Sequence, residues 1–289
     1  MEENKVSESI YNIINELFSK LFSSVDNSIY GILDEITFIN KDIIEGSNFQ
    51  KILGNSGTNG ILLICNALVL GFIVFFSINY LISHLTFGKS QNPSQFFFKL
   101  VIFVALMNSS IWFCSEIINL VSIISELIIE IGENLFNSNI CFSNFINLIN
   151  KEVYTSNNGF NAFSFEGIVK SFTSVGFINL IFTYSLRYIL IQVFVLISPF
   201  AILSLTLDKT EWFFKVWLRI FMSLLLEQIL IAIILVLAFS IDIVRNSDFI
   251  QLLYIGIIYA LIRTNTYMRQ LFGGISTNIS TNIGGFLKN

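Results

Sequence analysis

The chain is 289 residues long, 54% apolar and 15% aromatic, with 12% charged residues and a net charge of -4. Soluble domains carry about 25% charged residues, so a chain this oily, with a mean hydropathy of +0.74, exceeds what a soluble core can hide. The composition excludes a basic face for duplex nucleic acid, and Cys65, Cys114 and Cys141 form neither a CxxC metal site nor a disulfide framework.

The sequence opens Met1-Glu2-Glu3-Asn4 and has no long apolar run before Gly60, so the first membrane segment is expected to act as its own insertion signal. From Val6 to Ile36, apolar residues recur at helical spacing (Val6, Ile10, Ile13, Leu17, Leu21, Val25, Ile29, Leu33) with acids and Asn between them. Residues 1–59 therefore read as an amphipathic helical, extracytoplasmic N-terminal arm. It either packs on its own membrane domain or docks on a partner subunit.

Residues 60–115 read as a transmembrane hairpin. No Asp, Glu, Lys or Arg lies between Lys51 and Lys89, and Gly60 to Leu81 is long enough to cross the hydrocarbon. Pro93 predicts a helix start, Phe96 to Ser115 gives the second span, and Lys99 snorkels. Asn66, Asn79, Asn108, Ser109 and Ser110 are expected to bond between helices.

Residues 116–170 read as an extracytoplasmic amphipathic helix and loop. Ile117 to Phe136 has a helical pattern, but Glu116, Glu126, Glu130 and Glu133 would each cost about 2 to 3 kcal/mol at the bilayer centre. Residues 137–166, with Tyr154-Thr155-Ser156-Asn157-Asn158-Gly159, read as a loop or small cap.

Residues 171–272 read as a three-span membrane domain. A single helix from Ser171 to Leu207 would measure about 56 Å, so a break is expected near Ser198-Pro199, leaving a span from Val175 to Ile197. Trp212 to Ser240 is the fourth span, anchored by Trp212, Lys215, Trp217 and Arg219, with Glu227 and Gln228 at its middle. Phe249 to Ile262 is a shorter fifth span, ended by Arg263. Arg187 and Glu227 lie near the midplane and are expected to pair. Residues 273–289 form a Gly/Ser/Thr tail that repeats an Ile-Ser-Thr-Asn unit.

With five spans, segments 82–99, 206–219 and 263–289 share one side and hold eight of the 16 Lys and Arg residues, against seven in the longer segments opposite. The positive-inside rule puts the N-terminus outside and the C-terminus in the cytoplasm. The expected fold is an all-α integral membrane protein. The single histidine, His84, lies at the end of the first span, and no GxxxxGK[ST] loop is present, so no metal cluster, catalytic triad, ATP site or cofactor is expected.

From Arg187-Tyr188 onward, through Ser198-Pro199-Phe200-Ala201, Trp212-Phe213-Phe214-Lys215-Val216-Trp217-Leu218-Arg219, Glu227-Gln228, Ile255-Gly256-Ile257-Ile258-Tyr259, Arg263-Thr264-Asn265 and Gly273-Gly274-Ile275-Ser276-Thr277, the sequence resembles the TrbL-type conjugal transfer proteins. These are polytopic inner-membrane subunits of type IV secretion systems, and the likeness is to versions on Gram-positive mobile elements. It covers roughly residues 175 to 285.

The resemblance implies a helical subunit of the bacterial cytoplasmic membrane that oligomerises around a translocation path. It implies partners among the other conjugation-machine subunits, including ATPases and a coupling protein, and transient contact with the DNA–protein substrate. Arg187, Pro199, Trp217, Glu227, Gln228 and Arg263 are the structural or translocation candidates, and no residue would be a catalyst. The alternative reading is a small-solute transporter permease, which would favour paired interrupted helices in both halves; the sequence offers one interruption, at Pro199. An intramembrane enzyme would require His84 to form a dyad with a serine from another helix.

Overall fold

The computed structural model describes residues 13, 28–54, 59–86, 92–153, 165–241 and 247–272. Residues 6–27 apart from 13, the turn at 154–159 and the tail 273–289 lie outside the described residues. Every regular element among the described residues is helical: α1 (Ser28–Thr37), α2 (Asp42–Glu45), α3 (Ser47–Leu53), α4 (Ile61–Leu85), α5 (Pro93–Asn108), α6 (Ser110–Phe136), α7 (Phe142–Val153), α8 (Phe165–Leu203), α9 (Glu211–Phe239) and α10 (Ser247–Phe272). A 3-10 turn, Ser204–Thr206, follows α8.

Among the described residues, four helices are long and apolar enough to cross a membrane: Ile61–Leu85, Ser110–Phe136, Gly167–Thr206 and Glu211–Phe239. The protein is therefore an all-α chain with the features of a membrane protein.

The expected span Phe96 to Ser115 is divided at Ser109, whose N–H reaches the carbonyls of both Ala105 (3.2 Å) and Leu106 (3.1 Å), and α5 is left with 16 residues. Residues 117–136, expected outside the hydrocarbon, belong to α6 and to the four apolar helices. Their acids do not interrupt the packed face: Glu116, Glu126 and Glu130 are exposed, while Glu133 accepts the N–H of Ile140 (3.1 Å). α6 continues in the direction of α5. Met107 packs on Ile202, Cys114 lies beside Ile191 and Val195, and Gly132 reaches Val236.

Helix α8 does not break near Pro199 but runs through it to Leu203. Proline removes the N–H owed to the Val195 carbonyl. The Ser198 hydroxyl donates to that carbonyl instead (2.7 Å), and the Trp217 indole N–H donates to the neighbouring carbonyl of Phe194 (2.9 Å). The Ser-Pro pair carries its own repair, so the helix ends one turn later.

The stretch 137–166, expected as a loop, contains α7. Asn137 closes α6 with a left-handed φ of 50°. The carboxylate of Asp34, from α1, then accepts the first N–H of α7, at Phe142 (2.7 Å), and serves as a cap supplied from another element. Phe142, Phe145, Ile146 and Ile149 form its buried face, packed with Leu180, Tyr184 and Tyr254. α10 runs well past the expected end at Ile262; with Arg263 and Arg269 inside it, it is not among the four apolar helices.

Helices α6, α8, α9 and α10 make the bundle. Two glycines set its closest approaches: a methyl at Gly132 would lie 2.8 Å from a Val236 methyl, and one at Gly176 would lie 2.5 Å from an Ile258 methyl. Of the two alternatives for the N-terminal segment, residues 33–53 follow packing on the chain's own domain: they lie along this bundle, with Leu33, Ile39, Ile43, Ile44, Phe49 and Leu53 buried. The α4–α5 hairpin packs on the bundle around the end of α8, where Cys65 and Met107 cluster with Ile202 and Leu203, and Phe76 and Phe96 with Leu207.

Candidate functional site: a buried polar centre

Four segments converge on one polar centre, and each brings residues that an apolar bundle would not otherwise bury. Arg187 from α8 and Glu227 from α9 are both fully buried, as are Tyr184 and Thr264, while Gln228 and Asn265 are 1% exposed.

Arg187 is held by acceptors. Its Nε donates to the carbonyl of Leu224 (2.9 Å), Nη1 to the carbonyl of Thr37 (3.2 Å) and Nη2 to Gln228 Oε1 (3.3 Å). The same Gln228 oxygen accepts the backbone N–H of Ile39 (3.0 Å). Glu227 turns toward α10, where Thr264 Oγ1 donates to its Oε1 (3.0 Å) and Asn265 Nδ2 to its Oε2 (3.3 Å). Tyr184 completes the link by donating to the carbonyl of Leu261 (3.2 Å).

The expected contact pair between Arg187 and Glu227 does not form. The ion pairs among the described residues are Lys99–Asp208 and Lys215–Glu211, each 2.8 Å and exposed. The reason lies in the register of α9: Glu227 and Gln228 are consecutive and diverge around the helix, so the amide faces α8 while the carboxylate faces α10. The two opposite charges still compensate each other across the centre, because neither has water to screen it.

Around Pro199 lies a second, aromatic cluster, in which Trp217 is 2% exposed and stacks on Phe221 with ring centroids 5.3 Å apart. The structure thus brings Arg187, Glu227 and Gln228 together and sets Pro199 and Trp217 nearby along the same helices. Arg263 stands apart: it bonds the hydroxyl of Tyr259 (3.0 Å) and lies over that ring at 5.2 Å, on the outer face of α10. Nor do Asn79 and Asn108 bond between helices, since their amides donate to Phe75 and Val104 of their own helices.

Sequence reading missed Tyr184, Thr37 and Ile39. Tyr184 lies three residues before Arg187 and so faces the same side of α8, a signal present in the spacing. Thr37 and Ile39 contribute backbone groups only, which leave no side-chain signature.

Chemically, the centre is committed to holding helices together. Apart from the buried Thr37 hydroxyl, which finds no partner, its polar side chains bond one another or backbone carbonyls, and among the described residues no group of three or more His, Cys, Asp and Glu side chains is placed to hold a metal. His84 sits exposed at the end of α4 against Tyr80, with ring centroids 5.6 Å apart. A cleft of about 140 Å³ at the α5–α6 break is lined by Leu106, Trp112, Phe113, Ile202 and Phe214, a surface suited to hydrocarbon rather than to a polar solute. The chain matches no known protein family, and no curated protein or solved structure is similar to it.

Proposed function

We propose that this chain is a multi-pass subunit of the bacterial cytoplasmic membrane that serves as a channel or scaffold component of a conjugative, TrbL-type type IV secretion system. One observation carries the reading. Segments on which the resemblance rests meet in the core: Arg187, Glu227-Gln228 and Thr264-Asn265 join α8, α9 and α10 in the polar centre, and Ser198-Pro199 and Trp217 join α8 and α9 in the aromatic cluster.

Such a core stiffens a helical scaffold and leaves the work of transfer to separate ATPases and a coupling protein. The start of α5 meets the α8–α9 turn through the Lys99–Asp208 pair, and the positive-inside rule, applied to segments 82–99, 206–219 and 263–289, supports five passes with the N-terminus outside.

The test is a gentle-detergent pulldown of the tagged chain from its native host, read by mass spectrometry. Recovery of a conjugation ATPase, coupling protein or relaxase is expected. A lone oligomer, or one with a transport ATPase and a solute-binding protein, would overturn the assignment.

A further inference from the structure

Two outer faces of the bundle carry opposite charges at one depth. On α6, Glu116, Glu126 and Glu130 are exposed on one side of the helix, among Leu120, Ile123 and Leu127. None of the three pairs with a cation among the described residues, and the Ser122 hydroxyl donates to Glu126 (2.9 Å). On the outer face of α10, Arg263 is held by the hydroxyl and ring of Tyr259.

The helix contacts fix the levels. Thr264, the neighbour of Arg263, donates to Glu227 near the middle of α9, so Arg263 stands at that depth. α6 runs beside α9 in the same direction, with Cys114 in the cluster around Trp217 and Phe221 and Gly132 against Val236. Six residues before Gly132 stands Glu126, and six before Val236 stands Leu230. Glu126 is therefore within about one helical turn, ~5.4 Å, of Arg263 in depth. Within one copy the two cannot meet, because α6 and α10 each pack along α9 and are not principal neighbours of each other. Charges at bilayer depth pair with one another or face water.

The surface beside Arg263 is shaped for a helix. Gly256 and Ala260 form a Gly-x-x-x-Ala stripe on the same side of α10; Gly256 is exposed, and a methyl added there would meet nothing within 4 Å. Small residues at this spacing let two helix backbones approach closely. We propose that a second copy of this chain docks here, the acidic face of α6 of one copy seating on the Gly256–Ala260–Arg263 face of α10 of the next. Copies related by rotation about the membrane normal keep their depth, so residues level within one chain are level between neighbours. Because two different surfaces meet, the contact is head-to-tail and builds a ring when the rotation closes. The inference goes beyond the secretion reading and rests on α9 crossing the bilayer.

Cysteine cross-linking in membranes of the native host tests it. In a full-length Cys141→Ser background, where Cys65 and Cys114 are buried, Leu127→Cys and Ala260→Cys are placed on differently tagged copies and oxidised with copper phenanthroline. The mixed dimer is expected at least tenfold above the Ile189→Cys and Ala260→Cys pairing, whose α8 position is exposed on another face. Arg263→Glu and Gly256→Leu should each lower the yield at least tenfold, and Glu126→Arg should restore it in the Arg263→Glu chain. Gly71→Leu, on α4 and also in open space, should leave it unchanged. No mixed dimer above the Ile189→Cys control, a yield that ignores Arg263→Glu and Gly256→Leu, or dimers from Leu127→Cys alone or Ala260→Cys alone in equal amount would overturn the proposal. Mixed dimers without conjugation subunits in the pulldown would keep this interface and remove the secretion assignment.

Discussion

The α4–α5 hairpin and the α8–α9–α10 bundle are both apolar, yet they are held in opposite ways. In the most apolar stretch of α4 about one residue in six is buried inside the protein, against half in α8 and in α9. On α4, Leu62, Cys65 and Phe76 are buried, and its Ser77 and Asn79 bond to their own helix. The bundle buries an arginine, a glutamate and a glutamine whose partners come from four segments. Apolar length suffices to enter a bilayer, whereas a unique arrangement inside one needs groups that only particular neighbours satisfy.

Substitutions test that contrast. Arg187→Leu is expected to have the largest effect, about 3 to 5 kcal/mol, because it strands Glu227 as an uncompensated charge and takes the donor from the Leu224 and Thr37 carbonyls and from Gln228; thermal unfolding in mild detergent measures it. Trp217→Ala should follow at about 3 kcal/mol, through the lost stack on Phe221 and the lost bond to Phe194, while Trp217→Phe should recover most of the packing. Asp34→Ala removes the borrowed cap of α7 and is expected to cost about 1 kcal/mol, seen as faster proteolysis of residues 137–153. Leu81→Ala, on a hairpin residue 61% exposed, should stay within about 0.5 kcal/mol. A loss at Leu81 equal to that at Trp217 would break the comparison, since the hairpin would then be packed as the bundle is.

Asp34 adds a pH dependence. Burial pushes its carboxyl above the ordinary range, against the hydrogen bonds from the Phe142 and Ser143 backbone and the Ser143 hydroxyl. A raised folded-state value gives a contribution that is complete below the ordinary carboxylate range and is lost as pH rises through the raised value. The wild type is thus expected to lose more stability between about pH 4 and 7 than Asp34→Asn, and unfolding midpoints across that range read the difference.

Much of this was legible in the sequence. The uncharged run Gly60 to Leu81 and the 37-residue stretch Ser171 to Leu207 announced long apolar helices, and Arg187, Glu227 and Gln228 stood out as polar residues at depth. The helix ends were less legible. Pro199 looked like a stop because its missing N–H is visible, while the rescue of Val195 by Ser198 is a matter of side-chain rotamer. Residues 142–153 looked like loop because Asn and Ser fill their outer face, and their buried face exists only against Leu180, Tyr184 and Tyr254.

By itself, then, the sequence determined the class: periodic apolar runs of bilayer length, with few charges, leave a helical membrane chain as the outcome, because backbone groups and hydrocarbon impose those terms locally. The tertiary structure decided which charge meets which partner and which side of residues 37–51 faces the bundle. Those choices turn on backbone carbonyls and N–H groups brought together from residues some 150 apart, as in the Thr37–Arg187 contact, and every residue type carries the same backbone groups.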